Sequence, residues 1–131
     1  MTAEWANNKA QGSYYESLFT TECLKRGISV SQPEGDYLPY DLITDSRFGL
    51  KKIQVKGTAR KDEGSRGYRT VIKPSADFDM LAIYVDIPDI RTWYVIPKDQ
   101  LGRTVRAVKV FPHNPVSRGK YEPYKAAFHL L

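Results

Sequence analysis

Polar and apolar positions along the 131-residue chain change period several times, and each change marks a predicted element. Between Asn8 and Arg26, the apolar residues Tyr15, Leu18, Phe19 and Cys23 fall at i, i+3, i+4 and i+8, one face of a helix that Gly27 stops. Ile28 to Ser31 is a short strand, and Gln32-Pro33-Glu34-Gly35-Asp36 is turn chemistry. Tyr40 to Thr44 reads as a second strand, closed by Asp45-Ser46 and Gly49. Leu50 to Ala59 reads as a third, with Ile53 and Val55 facing one way and Gln54 and Lys56 the other. Arg60 to Gly67 reads as a polar, basic loop, and Tyr68 to Lys73 as a fourth strand ended by Pro74. Met80 to Val85 is almost wholly apolar, the pattern of a strand covered on both faces. Thr92 to Ile96 follows, then Pro97 and a short helical turn over Lys98–Leu101. Val105 to Phe111 alternates as an edge strand, and Tyr121 to Leu130 reads as a terminal helix. The order predicts an α/β or α+β sheet with helices packed on it.

No internal repeat, low-complexity tract or linker divides the chain, so residues 1–131 are expected to form a single domain. Folding at this size buries roughly two-thirds of the surface the unfolded chain exposes, enough for a core without staples. Hydrophobic residues make up 41% and charged residues 27%, which excludes a disordered or membrane composition. No apolar run approaches the ~20 residues that span a bilayer. Met1-Thr2-Ala3-Glu4-Trp5 lacks the basic start and apolar stretch of a secretory signal, so a cytoplasmic protein is expected. The single cysteine, Cys23, cannot form an internal disulfide and agrees with a reducing compartment. With only His113 and His129 beside it, a conventional zinc site is out of reach. The chain has no Walker-type phosphate loop and no Ser-His-Asp order.

Charge sharpens the picture. The net charge is +5 and the isoelectric point about 9.3. Residues 1–50 carry four Lys/Arg against seven Asp/Glu, residues 51–73 eight against two, and residues 74–131 eight against six. A basic block beside an acidic segment fits a polyanion-binding surface next to a carboxylate site, although charge alone describes a solvated loop equally well.

The candidate chemistry lies where these segments meet. Asp41 opens one strand, and its hairpin partner carries Gln54-Val55-Lys56, with Gln54 and Lys56 on one face. A carboxylate and a side-chain carbonyl are hard oxygen donors suited to Mg²⁺. Lys56 can then meet a nucleophilic water or the charge developing on a phosphate. Glu16 lies four residues after Gly12, a glycine that leaves room beside the carboxylate. By pattern alone, Ile-Gln-Val-Lys is also any amphipathic strand, and a mid-helix Glu is an ordinary helix former.

The stretch from Lys9 to Arg60 resembles the PD-(D/E)XK nuclease core, in the branch that includes group I intron-encoded homing endonucleases and, more distantly, the archaeal Holliday junction resolvases. The likeness is carried by Lys9-Ala10-Gln11-Gly12 with Glu16, Leu24-Lys25-Arg26-Gly27, Val30 to Asp36, Tyr40-Asp41-Leu42-Ile43 and Gln54-Val55-Lys56-Gly57-Thr58. Glu16 precedes Asp41 by 25 residues and Asp41 precedes Gln54 by 13, intervals that suit the family's helix-strand-strand order. Asp77-Phe78-Asp79, Trp93 to Pro97 and Val110 to Asn114 look like its later strands and closing segment, so the likeness covers nearly the whole chain. No single motif is specific, but the ordered set of five is. The resemblance implies a restriction-endonuclease-like fold, a mixed central sheet flanked by helices. It implies a catalytic set of Glu16, Asp41, Gln54 and Lys56. Asp41 is the central metal carboxylate, Gln54 stands at the usual acidic position, Lys56 is the catalytic lysine, and Glu16 is a further metal or water ligand. Two departures stand out: Tyr40 separates Pro39 from Asp41, and Gln54 is neutral, although the homing-endonuclease branch is similar in using Gln here.

The same resemblance implies a Mg²⁺-dependent DNA endonuclease, with Mn²⁺ as a substitute, that leaves a 5′-phosphate. One active site per chain against two strands of duplex implies a homo-oligomer, a dimer or a tetramer. Lys9, Lys52, Arg60, Lys61, Arg66, Arg69 and Lys73 are the expected phosphate contacts, with Gly64 and Gly67 letting the basic loop order on DNA. Asp77 and Asp79 could form a second metal pair, but more simply cap a turn and start a strand. Trp93 and Tyr94 read as core or interface anchors, and Cys23 as a buried small hydrophobe. His113-Asn114 resembles part of another nuclease motif, without a second histidine to complete it. A junction resolvase and a non-catalytic DNA-binding module on the same fold are the alternative readings.

Overall fold

The computed structural model describes residues 8–35, 37–58, 61–62, 67–73, 75–113 and 119–131. The backbone forms helix α1 (Asn8–Lys25) and strands β1 (Ser29–Ser31), β2 (Leu42–Ser46), β3 (Gly49–Thr58), β4 (Lys61–Asp62), β5 (Gly67–Val71), β6 (Met80–Ile87), β7 (Ile90–Pro97) and β8 (Ala107–Val110). Five strands build a mixed sheet in the order β1-β2-β3-β6-β7, parallel only between β3 and β6. The other three form a smaller antiparallel sheet, β4-β5-β8. Among the described residues no helix is long and apolar enough to cross a membrane.

The apolar stripe predicted for α1 is the face it buries. Tyr15, Phe19 and Cys23 pack with Ile53, Val55, Ala82, Trp93 and Val95 on one side of the large sheet. The helix ends as Gly27 dictates. At φ +74° it lets its own N–H reach the Leu24 carbonyl and the Ile28 N–H reach that of Cys23. Strand β6 is apolar on both faces because both are covered. Met80, Ala82 and Tyr84 join the helix side, whereas Leu81, Ile83 and Val85 meet Tyr68, Val108 and Val110 of the small sheet.

Two expectations change. The terminal helix over 121–130 is instead two 3-10 turns, Glu122–Tyr124 and Phe128–Leu130. Pro123 has no N–H to continue a helix, and Lys125 bridges to Tyr94 while the Ala126 N–H donates to the Trp93 carbonyl at 2.7 Å. The free edge of β7 thus captures the segment in extended form. The sheet face opposite α1 is therefore covered by the small sheet and its flanking loops. The basic loop over 60–67 contains β4, which pairs with the start of β5 through Lys61↔Tyr68 and Asp62↔Gly67. Gly67 serves packing here, since a Cβ would stand 2.6 Å from the Phe111 ring.

Candidate active site

Pairing between β2 and β3 stops at Leu42↔Ile53, although β3 runs on to Thr58. Asp41 sits at that fork, one residue before β2 begins. Its N–H donates to the Ile53 carbonyl at 2.8 Å, and its Oδ2 accepts the Val55 N–H at 2.8 Å. The carboxylate thus takes the place of the main-chain oxygen that a longer β2 would have supplied. The departing chain holds Gln54 as well, because the Pro39 carbonyl accepts its Nε2–H at 3.1 Å. Proline carbonyl can only accept, so this bond fixes which end of the carboxamide is nitrogen. The other end, Oε1, is buried and has no hydrogen-bond partner among the described residues. A buried acceptor left bare costs about 1–3 kcal/mol, which a native fold tolerates where something else supplies the partner.

A cavity of about 260 Å³ at the fork is lined by all four residues of the expected catalytic set, Glu16, Asp41, Gln54 and Lys56, together with Tyr15 and Gly57. A second, of about 250 Å³, shares Gly12, Glu16, Leu38 and Asp41 with it and extends past Lys9 and Tyr40. Burial holds both carboxyls above their usual range. For Glu16 the nearby Asp41 charge adds to the effect. For Asp41 the Val55 N–H and the Lys56 charge offset it in part. Among the described residues no three of His, Cys, Asp and Glu gather as a metal cluster. The donor set is two carboxylates and one bare carboxamide oxygen, all hard oxygens, and it fits a divalent cation such as Mg²⁺ or Mn²⁺.

The expected phosphate contacts divide. Lys9 lines the second cavity. Arg69 and Lys73 are exposed on and just after β5. Lys52 lies away from the cavity, its Nζ 2.6 Å from Asp77 Oδ2. Lys61 is on β4, and Arg60, Arg66 and the side chain of Lys61 lie outside the described residues, as does Asn114. Register adds one residue that sequence reasoning passed over. Lys109 of β8 pairs directly with Arg69 on the outer side of the small sheet, and the alternation Ala107-Val108-Lys109-Val110 was the signal that could have found it. Asp79 is structural: its Oδ2 accepts the Lys52 N–H at 2.8 Å. His113 Nε2 stands 3.3 Å from the Tyr68 hydroxyl. Trp93 packs edge-on against Phe19 in the core, and burial pushes the Cys23 thiol up to about 12.

The sequence profile of the PD-(D/E)XK endonuclease family matches residues 6–130. No curated protein matches the chain. Among solved structures, a bacterial homing endonuclease, I-Ssp6803I, is similar at 28% identity and a TM-score of 0.79, covering 96% of this chain and 91% of that one. A Holliday junction resolvase, Hjc of Archaeoglobus fulgidus, shares the fold at 18% identity and a TM-score of 0.50, covering 78% of this chain and 84% of that one. The chain belongs to the PD-(D/E)XK endonuclease family.

Proposed function

We propose that this PD-(D/E)XK nuclease hydrolyses phosphodiester bonds in duplex DNA at a preferred site, as a homing-type endonuclease, with Mg²⁺ held by Asp41, Gln54 and Glu16. The observation that carries the reading is the bare, buried Oε1 of Gln54, a residue that lines one cavity with Asp41 and Glu16. When bound, the cation polarises the phosphate and acidifies a water. Asp41 is fixed for this role by its two main-chain bonds to β3, and Gln54 by Pro39. The carboxylates of Glu16 and Asp41 repel each other and resist ionisation by burial, and a cation relieves both costs. Lys56 reaches the same cavity from β3 and offers its charge to the phosphate oxygens as charge builds there.

Lys9, Arg69, Lys73 and Lys109, with Arg60, Lys61, Arg66 and Lys52 from the basic segment, supply the phosphate grip. The pair of Lys52 with Asp77 is exposed and gives way readily. One chain carries one such site while duplex cleavage needs two cuts, so a homo-oligomer, dimer or tetramer, fits the task. The likeness to the homing endonuclease extends over nearly both chains, and it supports the duplex reading over a junction-reading one. The test is cleavage of duplex, four-way-junction and flap DNA side by side in Mg²⁺. A preferred duplex site is expected. Tight, sequence-blind cutting of junctions would transfer the reading to a resolvase, and binding without cutting on any substrate would leave a DNA-binding module.

A further inference from the structure

Tyr15 is one residue from Glu16 and ties its helix to two strands, β3 and β6. Its ring lies so close to Gly57 of β3 that a Cβ there would come within 1.9 Å of Tyr15 Cε2. Its hydroxyl donates to Asp86 Oδ2 on β6 at 3.0 Å and accepts from Gln11 Nε2 at 3.2 Å. Tyr84 of β6 flanks the ring with centroids 5.7 Å apart. Arg91 holds the other oxygen of Asp86 at 3.3 Å. Packing alone would be served by any large apolar residue facing a small one. Here a glycine is required by the ring, and the hydroxyl spans the helix to a strand beyond β3. Gly57 directly follows Lys56, and Tyr15 directly precedes Glu16, so one contact sets the spacing of α1 and β3, which deliver those groups to the cavity.

We infer that Tyr15 is a positioning residue, which seats on Gly57 and bonds Asp86 so that Glu16 is held at the cation site. The inference rests on the role given to Glu16 above. Removing the hydroxyl, or its acceptor, loosens the N-terminal half of α1 over β3 and weakens the hold of Glu16 on the cation, while Arg69, Lys73 and Lys109 of the DNA grip lie on and beside the small sheet and stay in place. A methyl group at position 57 lifts the helix outright.

The experiment measures the Mg²⁺ concentration for half-maximal cleavage at saturating DNA, together with DNA affinity without divalent cation and melting temperature. The variants are Tyr15→Phe, Asp86→Ala, Glu16→Gln and their pairs. Tyr15→Phe and Asp86→Ala should each raise the half-saturating Mg²⁺ by roughly three- to tenfold, the size of one hydrogen bond, with DNA affinity changed far less, since Lys9 is the one proposed phosphate contact on α1. The pair should be no worse than either alone, since both remove one bond, and neither should add anything in the Glu16→Gln background. Gly57→Ala should act in the same direction and more strongly. A lowered melting temperature in Tyr15→Phe and Asp86→Ala, with wild-type Mg²⁺ dependence, overturns the proposal and leaves Tyr15 as core packing. Wild-type Mg²⁺ dependence in Glu16→Gln itself overturns the role of Glu16 and the proposal with it, so the two failures are told apart.

Discussion

Two of the three lysines of strand β3, Lys52 and Lys56, stand four residues apart, the first beside Asp77 and Asp79 and the second on one cavity with Glu16 and Asp41. Around Lys52 the charges and polar groups are matched. Its Nζ pairs with Asp77 at 2.6 Å, its N–H donates to Asp79 Oδ2 at 2.8 Å, and its carbonyl accepts the Asp79 N–H at 2.8 Å. The pairing lowers Asp77 and raises Lys52, the directions of an ion pair content as it stands. Around Lys56 the matching is incomplete: Asp41 has main-chain partners on β3 and the Gln54 amide has Pro39, but no ion pair forms like that of Lys52 with Asp77 among the described residues. Glu16 and Asp41 are both pushed up, chiefly by burial, and the oxygen of Gln54, which lines the same cavity, is bare among the described residues. Sequence composition is alike at the two places, two acids and a lysine. What differs is the fork, where β2 leaves β3 and draws Asp41 and Gln54 inward with one acceptor, Gln54 Oε1, left over. A surface pair resolves its charges by itself, whereas the buried set at the fork, with one acceptor left over, is where the proposed cation would act.

The comparison can be broken from either side. Asp41→Asn should cut cleavage to background while DNA binding persists, because volume is kept and an amide oxygen can still accept the Val55 N–H. The sign of its effect on stability is the sharper check. A carboxyl raised above its unfolded value stabilises fully only below that unfolded value, and the contribution is lost as pH rises through the folded one. Divalent-free wild type should therefore lose stability as pH climbs through the raised range of Asp41 and Glu16. Asp41→Asn should lose less, and should melt at or above wild type at neutral pH. Lys56→Ala should cost cleavage on the order of 10²–10⁴, the range for one preorganised electrostatic group, with full activity sinking its assignment.

Gln54→Leu removes the bare oxygen and should lose activity, while Gln54→Glu should keep activity or tighten metal binding in a Mg²⁺ titration. If Leu is tolerated, the bare oxygen is not a ligand and the site is elsewhere. Away from the fork, replacing Arg69, Lys73 and Lys109 together by Ala should flatten the slope of log affinity against log salt by about two to three, one per phosphate contact. An unchanged slope would show that the small sheet does not grip DNA. At the matched end of β3, Asp77→Asn should change cleavage little, since its partner is an exposed lysine that remains free to meet phosphate.

Much of this architecture is legible in the sequence where a period is long enough to read. The stripe of α1, the alternation of β3 and the two-faced apolar run of β6 all stand in the structure where the pattern places them. Short or long-range features escape. Strand β4 spans two residues and carries no period. The C-terminal segment has helical spacing, but Pro123 and the open edge of β7 decide its form. The fork itself depends on Asp41 reaching Ile53 and Val55 across the chain, and no local pattern announces it. Resemblance to the nuclease core picked out Glu16, Asp41, Gln54 and Lys56, and the structure lines one cavity with them. That the Gln54 amide is committed to Pro39, with its oxygen left over, appears only in three dimensions. Tyr15 read as one more apolar helix residue because its partners, Gly57 and Asp86, are far along the chain.

On the function proposed, the fork and not the matched end of β3 binds the cation. Mn²⁺ binding followed by electron paramagnetic resonance, on the protein bound to duplex DNA, compares wild type, Asp41→Asn and Asp77→Asn directly. Wild type and Asp77→Asn should bind Mn²⁺ alike, and Asp41→Asn at least about tenfold more weakly, since a ligand charge is lost. Wild-type Mn²⁺ affinity in Asp41→Asn, or its loss in Asp77→Asn, would contradict the account.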